Sequence, residues 1–353
     1  MIQFRTKTVA WGTIVGGLLL GAIACQPSNT PTTQSEVSSE NTDLPGTGIT
    51  VQSVHTSLLE ERFQTQIVNK ALQKLGYETP EPAELETATM VVAISNGDVD
   101  YTTNHWENNQ TQLYENSGGE DNLNKLGVIV PNLLQGYQID KKTADKYQIT
   151  NLEQLQDPEI AKLFDSDGDG KANLIGCNSG WACELTIEHH LDAYGLRDTV
   201  ENDQGQFGAL IAETIVRYNQ GEPVLFYMWT PFWVGSLLKP GEDTIWLQVS
   251  KTDLPEGQTE LTEADTTAEG KNLGFPVDRM RILANKKFVD ENPAAKKLFE
   301  VVQIPIEDIS NQNNLMEQGE DQPEDIERHV NQWIEDNQET FDSWVEEAMA
   351  AQS

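Results

Sequence analysis

Runs of β-branched residues alternate along this chain with stretches whose apolar residues recur at helical spacing. The first such stretch carries Leu58, Phe63 and Ile67 on one face and ends before Gly76. Predicted strands cover residues 48–54, 89–94, 98–103, 125–130, 224–228, 244–249 and 280–284, and predicted helices cover residues 58–75, 109–115, 151–164, 183–194, 207–218, 294–302 and 324–349. This alternation favours an α/β fold with mostly parallel sheets. The part of the chain beyond residue 43 is too long for one hydrophobic core, so we expect two lobes.

The N-terminus has the pattern of an export signal. Arg5 and Lys7 precede an apolar run, residues 9–24, that is too short and too rich in glycine for a permanent membrane span. Ala24 stands directly before Cys25, as a small residue does at a bacterial lipoprotein processing site. We therefore expect residues 1–24 to be a signal peptide and Cys25 to be lipidated. The alternative is an ordinary secreted protein, and in both cases the chain leaves the cytoplasm.

The segment that follows Cys25 has the composition of a disordered linker. Residues 26–43 are rich in Ser, Thr, Asn, Gln and Pro and hold too few apolar side chains to fold. We expect residues 25–43 to be a flexible tether between the lipid and the folded body.

Acidic residues outnumber basic ones, 57 to 23, and give the chain a formal net charge of −34. Phosphate binding requires clustered Lys and Arg, so this balance argues against nucleic acid as a partner. It also disfavours binding to an anionic lipid surface, while it permits a cationic ligand.

Two of the three cysteines, Cys177 and Cys183, flank Trp181 within residues 176–184. In an oxidising compartment these thiols can form a disulfide, and the short ring would hold Trp181 on a stiff loop. A rigid exposed aromatic face indicates a binding site. The alternative is a disulfide-bonded loop whose tryptophan packs into the core.

Two further tryptophans follow predicted strands. Trp106 comes after the strand at 98–103, and Trp229 after the strand at 224–228. Ligands of open α/β sheets bind beyond the carboxyl ends of strands. Together with Trp181, these side chains could form a cage for a cation, above all a quaternary ammonium, with roughly 0.5–2 kcal/mol from each ring. Each tryptophan taken alone could equally be an ordinary core residue.

Residues 165–173 resemble the first part of a calcium-binding loop. Asp165, Asp167 and Asp169 alternate with other residues, and Gly170 stands at the turn, whereas Gly176 occupies the place of the last acidic ligand. We expect either a structural calcium ion or an Asx-rich turn. No cofactor is otherwise required. The sequence has no phosphate-binding glycine loop, no His-Glu-x-x-His and no Gly-x-Ser-x-Gly motif, so we do not expect an enzyme.

Several motifs are similar to those of the glycine betaine/proline betaine binding proteins of ABC-type osmolyte uptake systems. The matching strings are Leu44-Pro45-Gly46-x-Gly48-Ile49-Thr50-Val51, Gln135-Gly136-Tyr137-x-Ile139-Asp140-Lys141-Lys142-Thr143-Ala144-Asp145, Asp157-Pro158-x-Ile160-Ala161-Lys162-Leu163-Phe164-Asp165, Gly176-Cys177-Asn178-x-Gly180-Trp181-x-Cys183-Glu184, Trp229-Thr230-Pro231-x-Trp233 and Asn292-Pro293-Ala294-Ala295. The similarity covers essentially all of the chain after the tether.

The resemblance implies an α/β, type II-like periplasmic-binding-protein fold. Its two lobes are hinged by crossover strands, and the ligand lies in the cleft between them. The first lobe would comprise residues 44–134 and 275–353, and the second lobe residues 135–274. The resemblance further implies a monomeric, lipid-anchored protein in the periplasm or on the outer face of the cytoplasmic membrane. That protein would deliver glycine betaine or proline betaine to the permease and ATPase subunits of an ABC transporter.

The family's ligand site is a box of three tryptophans around the trimethylammonium group. The matching positions here are Trp106, Trp181 and Trp229. By the same resemblance, the backbone N–H groups of Ala182 and Cys183 would bind the ligand carboxylate.

One position departs from the family's pattern. A histidine that reaches the ligand carboxylate is expected four residues after the first box tryptophan, and this chain has Gln110 there. Glutamine can donate a hydrogen bond but carries no charge, and His105 could partly compensate. The first alternative is therefore a binding protein for choline or another quaternary ammonium. Two further alternatives, independent of residue 110, are an exported carbohydrate-active protein and a calcium-dependent structural lipoprotein.

Overall fold

The structure, a computed structural model, describes residues 44–58 and 60–351. The predicted signal peptide, the predicted lipidation at Cys25 and the predicted tether lie outside the described residues. Within the described part of the chain, no helix combines the length and the apolar character that a membrane crossing requires.

Strands and helices alternate through the described residues. The strands are β1 Val54–His55, β2 Ala83–Glu84, β3 Tyr101–Trp106, β4 Leu123–Asp140, β5 Ala172–Ile175, β6 Val200–Asp203, β7 Leu225–Thr230, β8 Thr244–Trp246, β9 Thr267–Ala268, β10 Lys271–Asn272 and β11 Asp278–Asn285. The α-helices are α1 Glu61–Lys74, α2 Thr87–Asn96, α3 Thr111–Asn116, α4 Lys141–Tyr147, α5 Pro158–Ala161, α6 Ala182–Ala193, α7 Phe207–Asn219, α8 Val234–Leu237, α9 Glu263–Thr266, α10 Lys286–Glu291, α11 Pro293–Val301, α12 Ile306–Glu317, α13 Pro323–Asp336 and α14 Gln338–Ala350.

One large sheet organises the fold, with strand order β3-β11-β4-β7-β5-β6 and with β8 also paired to β4. The long strand β4 connects its two parts. Residues from Leu123 to Leu133 pair with β11, and residues from Leu134 to Ile139 pair with β7. The lobe boundary implied by the family resemblance, after residue 134, lies at this exchange of partners.

The prediction of mostly parallel sheets is wrong for the large sheet. β11 pairs antiparallel with β3 and β4, and β4 pairs antiparallel with β7 and β8. Parallel pairing in this sheet is confined to β5, which pairs with β6 and β7. The alternation of strands and helices does not enforce parallel strands here, because β4 runs from one part of the sheet into the other while its neighbours β7 and β11 run back.

The strand predicted at 89–94 is instead part of helix α2. Its side chains Met90, Val91 and Ile94 are fully buried, a spacing that fits one face of a helix. The helix ends at Gly97, which takes the left-handed conformation that favours glycine at a helix C-terminus. Burial of this face outweighs the modest strand preference of the β-branched residues.

Three other predicted boundaries are also wrong. The strand at 125–130 does not end at Pro131, because a register shift in the pairing with β11 removes the need for an N–H at that residue. The predicted helix at 151–164 is a 3-10 turn, the short helix α5 and a second 3-10 turn. The predicted strand at 48–54 is reduced to β1 and isolated bridges at Thr50 and Ser53.

The C-terminal helix predicted at 324–349 is two helices, α13 and α14, which meet at Asn337. Trp333 and Trp344 stack with their ring centroids 5.8 Å apart. A continuous helix would separate residues eleven positions apart by about 16 Å along its axis, at 1.5 Å per residue. The change of direction at Asn337 is therefore what allows these two rings to meet.

Candidate functional site

A cavity lies at the carboxyl ends of β3 and β7, where the sequence predicts the ligand site. Trp106 is the last residue of β3 and Trp229 the penultimate residue of β7, while Trp181 immediately precedes α6. The empty volume is about 630 Å³, including open solvent at the mouth. The cavity is lined by Thr56, Leu58, Glu60, Glu61, Gln64, Thr87, Asn104, Trp106, Asn109, Gln110, Trp181, Ala182, Cys183, Tyr227, Trp229, Pro231, Met280, Ile309 and Asn313.

The three predicted tryptophans all face this cavity. Their exposed fractions are 9 % for Trp106, 7 % for Trp181 and 5 % for Trp229. The rings of Trp181 and Trp229 meet edge to face, with centroids 6.0 Å apart and an interplanar angle of 74°. Rings that are this well shielded from water can bind a cation more strongly than exposed rings.

Trp181 is held by the loop between Cys177 and Cys183. The predicted disulfide between these residues is present, with Cα atoms 6.4 Å apart. The indole N–H of Trp181 donates a very short hydrogen bond to the carboxylate of Glu86, which in turn accepts a hydrogen bond from the Ser57 hydroxyl at 2.8 Å. The orientation of this ring is therefore fixed at both its backbone and its nitrogen.

Trp229 is held mainly by other aromatic side chains. It stacks on Phe232 with ring centroids 4.2 Å apart, and it contacts Phe207 at 5.2 Å. Burial raises the pKa of the nearby Glu60 carboxyl group, and an interaction with the Trp229 side chain opposes this rise. The aromatic contacts hold the ring in the wall of the cavity.

Trp106 is held by a hydrogen-bonded chain. Its indole N–H donates to Asn104 Oδ1 at 3.1 Å, and Asn104 Nδ2 donates a very short hydrogen bond to Glu61 Oε1. Glu61 also accepts hydrogen bonds of 2.7 Å from the backbone N–H and from the hydroxyl of Thr56. The position of Trp106 thus depends on a buried carboxylate that the ring does not touch.

Glu60 and Glu61 are the charged residues that line the cavity; none of its described lining residues is Lys, Arg or His. Burial raises the pKa of Glu61 from 4.5 to about 7, against the opposing effect of its hydrogen bonds from Thr56. Burial and the neighbouring Glu61 raise the pKa of Glu60 well above its usual range. When ionised, either carboxylate favours a cation in the cavity, and a cation in turn favours the ionised form.

The residues predicted to hold a carboxylate line the same cavity, directly after Trp181 in the chain. Ala182 and Cys183 are the first two residues of α6, so their N–H groups have no acceptor within the helix. The positive end of a helix dipole favours an anion at this place. The geometry is therefore suitable for one ligand carboxylate next to the ring of Trp181.

Gln110 lines the cavity, whereas His105 lies behind it. The Nδ1–H of His105 donates to Gln110 Oε1 at 2.8 Å, and Gln110 Nε2 donates to the carbonyl oxygen of Asn104 at 3.3 Å. Burial lowers the pKa of His105 to about 3, so the imidazole is neutral. His105 is placed to orient Gln110 and contributes no positive charge to the site.

The predicted calcium ligands lie outside this cavity. One carboxylate oxygen from each of Asp165, Asp167 and Asp169 lies within 4.8 Å of the others. Asp165 accepts hydrogen bonds from the N–H groups of Gly168, at 2.6 Å, and Gly170, at 2.9 Å, which is the pattern of an Asx-rich turn. The three oxygens are close enough to bind one cation, and the turn forms with protein partners alone.

Sequence reasoning missed the polar residues that hold the rings, above all Glu60, Glu61, Glu86 and Asn104. Nothing in the spacing of acidic residues distinguishes these three glutamates from the many on the surface. Asn104 offered the one usable signal, because it stands two residues before Trp106 in a strand and therefore on the same face.

Comparisons with known proteins agree with this geometry. Residues 49–336 match the family described as the substrate binding domain of ABC-type glycine betaine transport systems. The chain is 50 % identical over 309 residues to the glycine betaine-binding periplasmic protein OusX of Dickeya dadantii, covering 88 % of this chain and 92 % of that protein. It is 49 % identical over 311 residues to the glycine betaine/proline betaine-binding periplasmic protein of Escherichia coli, covering 88 % of this chain and 93 % of that protein.

Solved structures show the same fold at low sequence identity. Lactococcal OpuAC, in a closed conformation with glycine betaine, has a TM-score of 0.63 at 17 % identity and covers 84 % of this chain and 99 % of that one. An ABC-transporter choline binding protein in complex with choline has a TM-score of 0.66 at 15 % identity, and the match covers 86 % of this chain and 96 % of that one. These similarities confirm the predicted two-lobed periplasmic-binding-protein fold.

Proposed function

Because this chain belongs to the family of substrate-binding domains of ABC-type glycine betaine transport systems, we propose that it captures glycine betaine or proline betaine in the tryptophan-lined cavity. Proteins of this family bind a substrate for an ABC transporter, work outside the cytoplasm and are not enzymes. The observation that carries the proposal is the convergence of Trp106, Trp181 and Trp229 on one cavity whose charged lining residues are acidic.

The trimethylammonium group of the ligand would lie among the three rings. A quaternary ammonium has no N–H to donate, so ring faces are its natural partners, with roughly 0.5–2 kcal/mol from each. The ligand carboxylate would accept hydrogen bonds from the N–H groups of Ala182 and Cys183 at the start of α6, and Gln110 would add one neutral donor.

Capture would involve closure of two lobes. We assign residues 44–134 and 275–353 to one lobe and residues 135–274 to the other, with support from the change of pairing partner along β4. Trp106 then belongs to the first lobe, and Trp181 and Trp229 to the second, so a bound ligand would favour the closed arrangement.

The protein would act as a monomer that is anchored by lipid on Cys25 and passes its ligand to the permease and ATPase subunits of an ABC transporter. Support for the anchor comes from the N-terminal sequence pattern. Metabolic labelling with a fatty acid, compared between the natural chain and Cys25→Ser, tests this part. Equal labelling of both proteins would contradict lipidation at Cys25 and would indicate an ordinary secreted protein.

A calcium ion at Asp165, Asp167 and Asp169 is a separate proposal, with a structural role in the loop before β5. Its support is the close approach of the three carboxylates. Thermal unfolding with excess calcium and with a chelator tests it, with Asp167→Asn as the matched variant. A melting temperature that calcium does not change, or changes equally in both proteins, contradicts the site.

Isothermal titration calorimetry tests the ligand assignment. The purified protein, with its disulfide intact, is titrated with glycine betaine, proline betaine and choline, and Trp181→Ala is titrated in parallel. Tight one-to-one binding of a betaine that Trp181→Ala strongly weakens supports the proposal. Equal binding of choline would mean that the ligand carboxylate contributes nothing, and no heat with folded protein would refute the betaine assignment.

A further inference from the structure

The three cage tryptophans share a feature that their ring faces do not reveal. Two of the indole N–H groups lead to a carboxylate by hydrogen bonds, and the third indole has a carboxyl group beside it. Trp181 donates to Glu86, whereas the Trp229 side chain interacts with the carboxyl group of Glu60 and lowers its pKa against the larger effect of burial. Trp106 reaches Glu61 through Asn104. The three glutamates, called here the supporting carboxylates, all lie within residues 60–86.

We propose that the supporting carboxylates Glu60, Glu61 and Glu86 aim the cage tryptophans and supply the negative potential that selects a cationic head group. This inference rests on the proposed function and identifies residues that decide specificity at the same site. It assigns the selection of charge to residues behind the rings, in addition to the rings themselves.

The geometric part of the proposal follows from the hydrogen bonds. An indole ring can rotate about its side-chain bonds unless its N–H is held, and a charged acceptor holds it more strongly than a neutral one. Glu86 is itself held, because the Ser57 hydroxyl donates to it at 2.8 Å. It also precedes α2, whose Ala88 N–H donates to Gly180 O at 3.2 Å, so the loop of Trp181 contacts this helix at two points.

The electrostatic part follows from burial and from the absence of compensating charge. Glu60 and Glu61 are 9 % and 3 % exposed, and no Lys, Arg or His is among the described residues that line the cavity. A unit charge about 8 Å from a cation, at an effective dielectric constant of about 20, corresponds to roughly a thirtyfold change in affinity. A carboxylate that accepts the indole N–H also increases the electron density that the ring face offers to the cation.

Ionisation of the pair is sensitive to the ligand. Burial raises the pKa of both Glu60 and Glu61, the charge of Glu61 raises the pKa of Glu60 further, and the charge of Glu86 raises the pKa of Glu61. A bound cation favours their charged forms. Binding of a quaternary ammonium should therefore release protons from this pair at neutral pH, whereas a merely structural role would not require this.

The experiment compares Glu60→Gln and Glu86→Gln with Glu60→Ala and Glu86→Ala. Glutamine keeps an oxygen that can accept the indole N–H but removes the charge, and alanine removes both. Glu346→Gln, on the exposed surface of α14, removes the same charge far from any cage contact. Each protein is titrated with glycine betaine and with 3,3-dimethylbutanoate, which replaces the ammonium nitrogen by carbon. Near-ultraviolet circular dichroism reports on the tryptophan environments.

Because burial keeps part of these groups protonated before binding, the expected loss is smaller than for a full charge: the glutamine variants should bind glycine betaine about tenfold more weakly, with unchanged circular dichroism and unchanged or stronger binding of 3,3-dimethylbutanoate. The alanine variants should lose more affinity and alter the circular dichroism. Calorimetry in two buffers of different ionisation enthalpy should show proton release by the natural protein that Glu60→Gln reduces. If the carbon analogue binds too weakly to be measured, the measured proton release alone tests whether the carboxylates act through their charge.

Two results would overturn the inference. The first is glycine betaine binding by both glutamine variants within twofold of the Glu346→Gln control. The second is an equal loss for glycine betaine and its carbon analogue, or, where the analogue is too weak to measure, no proton release. Failure of the natural protein to bind any betaine would instead refute the proposed function.

Discussion

Replacing Glu61 by glutamine should make the protein more stable at alkaline pH, although Glu61 accepts hydrogen bonds from Thr56 and Asn104. The side chain is buried, and burial raises its pKa from 4.5 to about 7. Between these two values the folded protein holds a proton that the unfolded chain has lost. The free energy of unfolding therefore falls as pH rises through this window, and the contribution is complete only below about pH 4.5.

The magnitude follows from the two pKa values. A difference between 4.5 and about 7, at about 1.4 kcal/mol per pH unit, amounts to about 3 kcal/mol of stability lost by pH 8.5. Glu61→Gln cannot ionise and avoids this loss. The charge of Glu61 also raises the pKa of Glu60, so the substitution relieves Glu60 in the same direction.

Urea unfolding at pH 5.0 and at pH 8.5, followed by far-ultraviolet circular dichroism, measures the effect. The quantity to compare is the difference in unfolding free energy between the variant and the natural protein at each pH, with unchanged dependence on urea concentration. We expect this difference to shift in favour of the variant by about 2.5 kcal/mol between the two pH values, because part of the loss has already occurred at pH 5.0. Saturating glycine betaine should reduce the shift, because a bound cation favours the ionised carboxylate.

The reasoning would be refuted by equal differences at the two pH values. A shift of the same size in Glu346→Gln would also contradict it, because Glu346 is exposed on α14 and loses no solvation on folding. The constant part of the difference, which reports the lost hydrogen bond to Asn104 or Thr56, does not enter the comparison.

Three further predictions concern the cavity and its loop. Trp181→Ala should weaken glycine betaine binding about thirtyfold in calorimetry, since a desolvated cation–π contact contributes about 2 kcal/mol; a loss below threefold would contradict its role in the cage. Gln110→His should strengthen glycine betaine binding relative to choline at pH 5.5, because a bound carboxylate would favour the charged form of a histidine that burial alone would keep neutral, and an unchanged ratio would show that residue 110 does not reach the ligand carboxylate. Replacing both Cys177 and Cys183 by serine should lower the unfolding free energy by about 2 kcal/mol, the loop-closure value for a separation of six residues; equal stability in urea would contradict this.

The sequence allowed the prediction of residues whose chemistry is rare and whose place in the chain is distinctive. Trp106 and Trp229 end strands, and two cysteines flank Trp181, so the three rings could be expected near one another before any geometry was known. The cation follows from the rings, because few other ligands require several aromatic faces.

Other features depend on contacts between residues far apart in the chain. The segment that became α2 has the β-branched residues of a strand, and its helical form is decided by burial against the core. The break between α13 and α14 at Asn337 interrupts a continuous apolar periodicity, and it brings Trp333 and Trp344 into a contact that the sequence does not indicate. The supporting carboxylates could not be distinguished from surface glutamates, since their partners lie up to 169 residues away along the chain, as Trp229 does from Glu60.

The polarity of the cavity gives a reason why a short zwitterion fits it. Its described lining offers acidic residues near the tryptophans and no basic side chain, so a ligand carboxylate depends on the start of α6. Trp181 and Ala182 are adjacent in the chain, and their Cα atoms are about 3.8 Å apart. In the proposed pose, the ring that would hold the ammonium and the N–H that would hold the carboxylate therefore belong to neighbouring residues. A betaine with one carbon between its charged groups would be short enough to keep both contacts, whereas we expect a longer zwitterion to lose one of them.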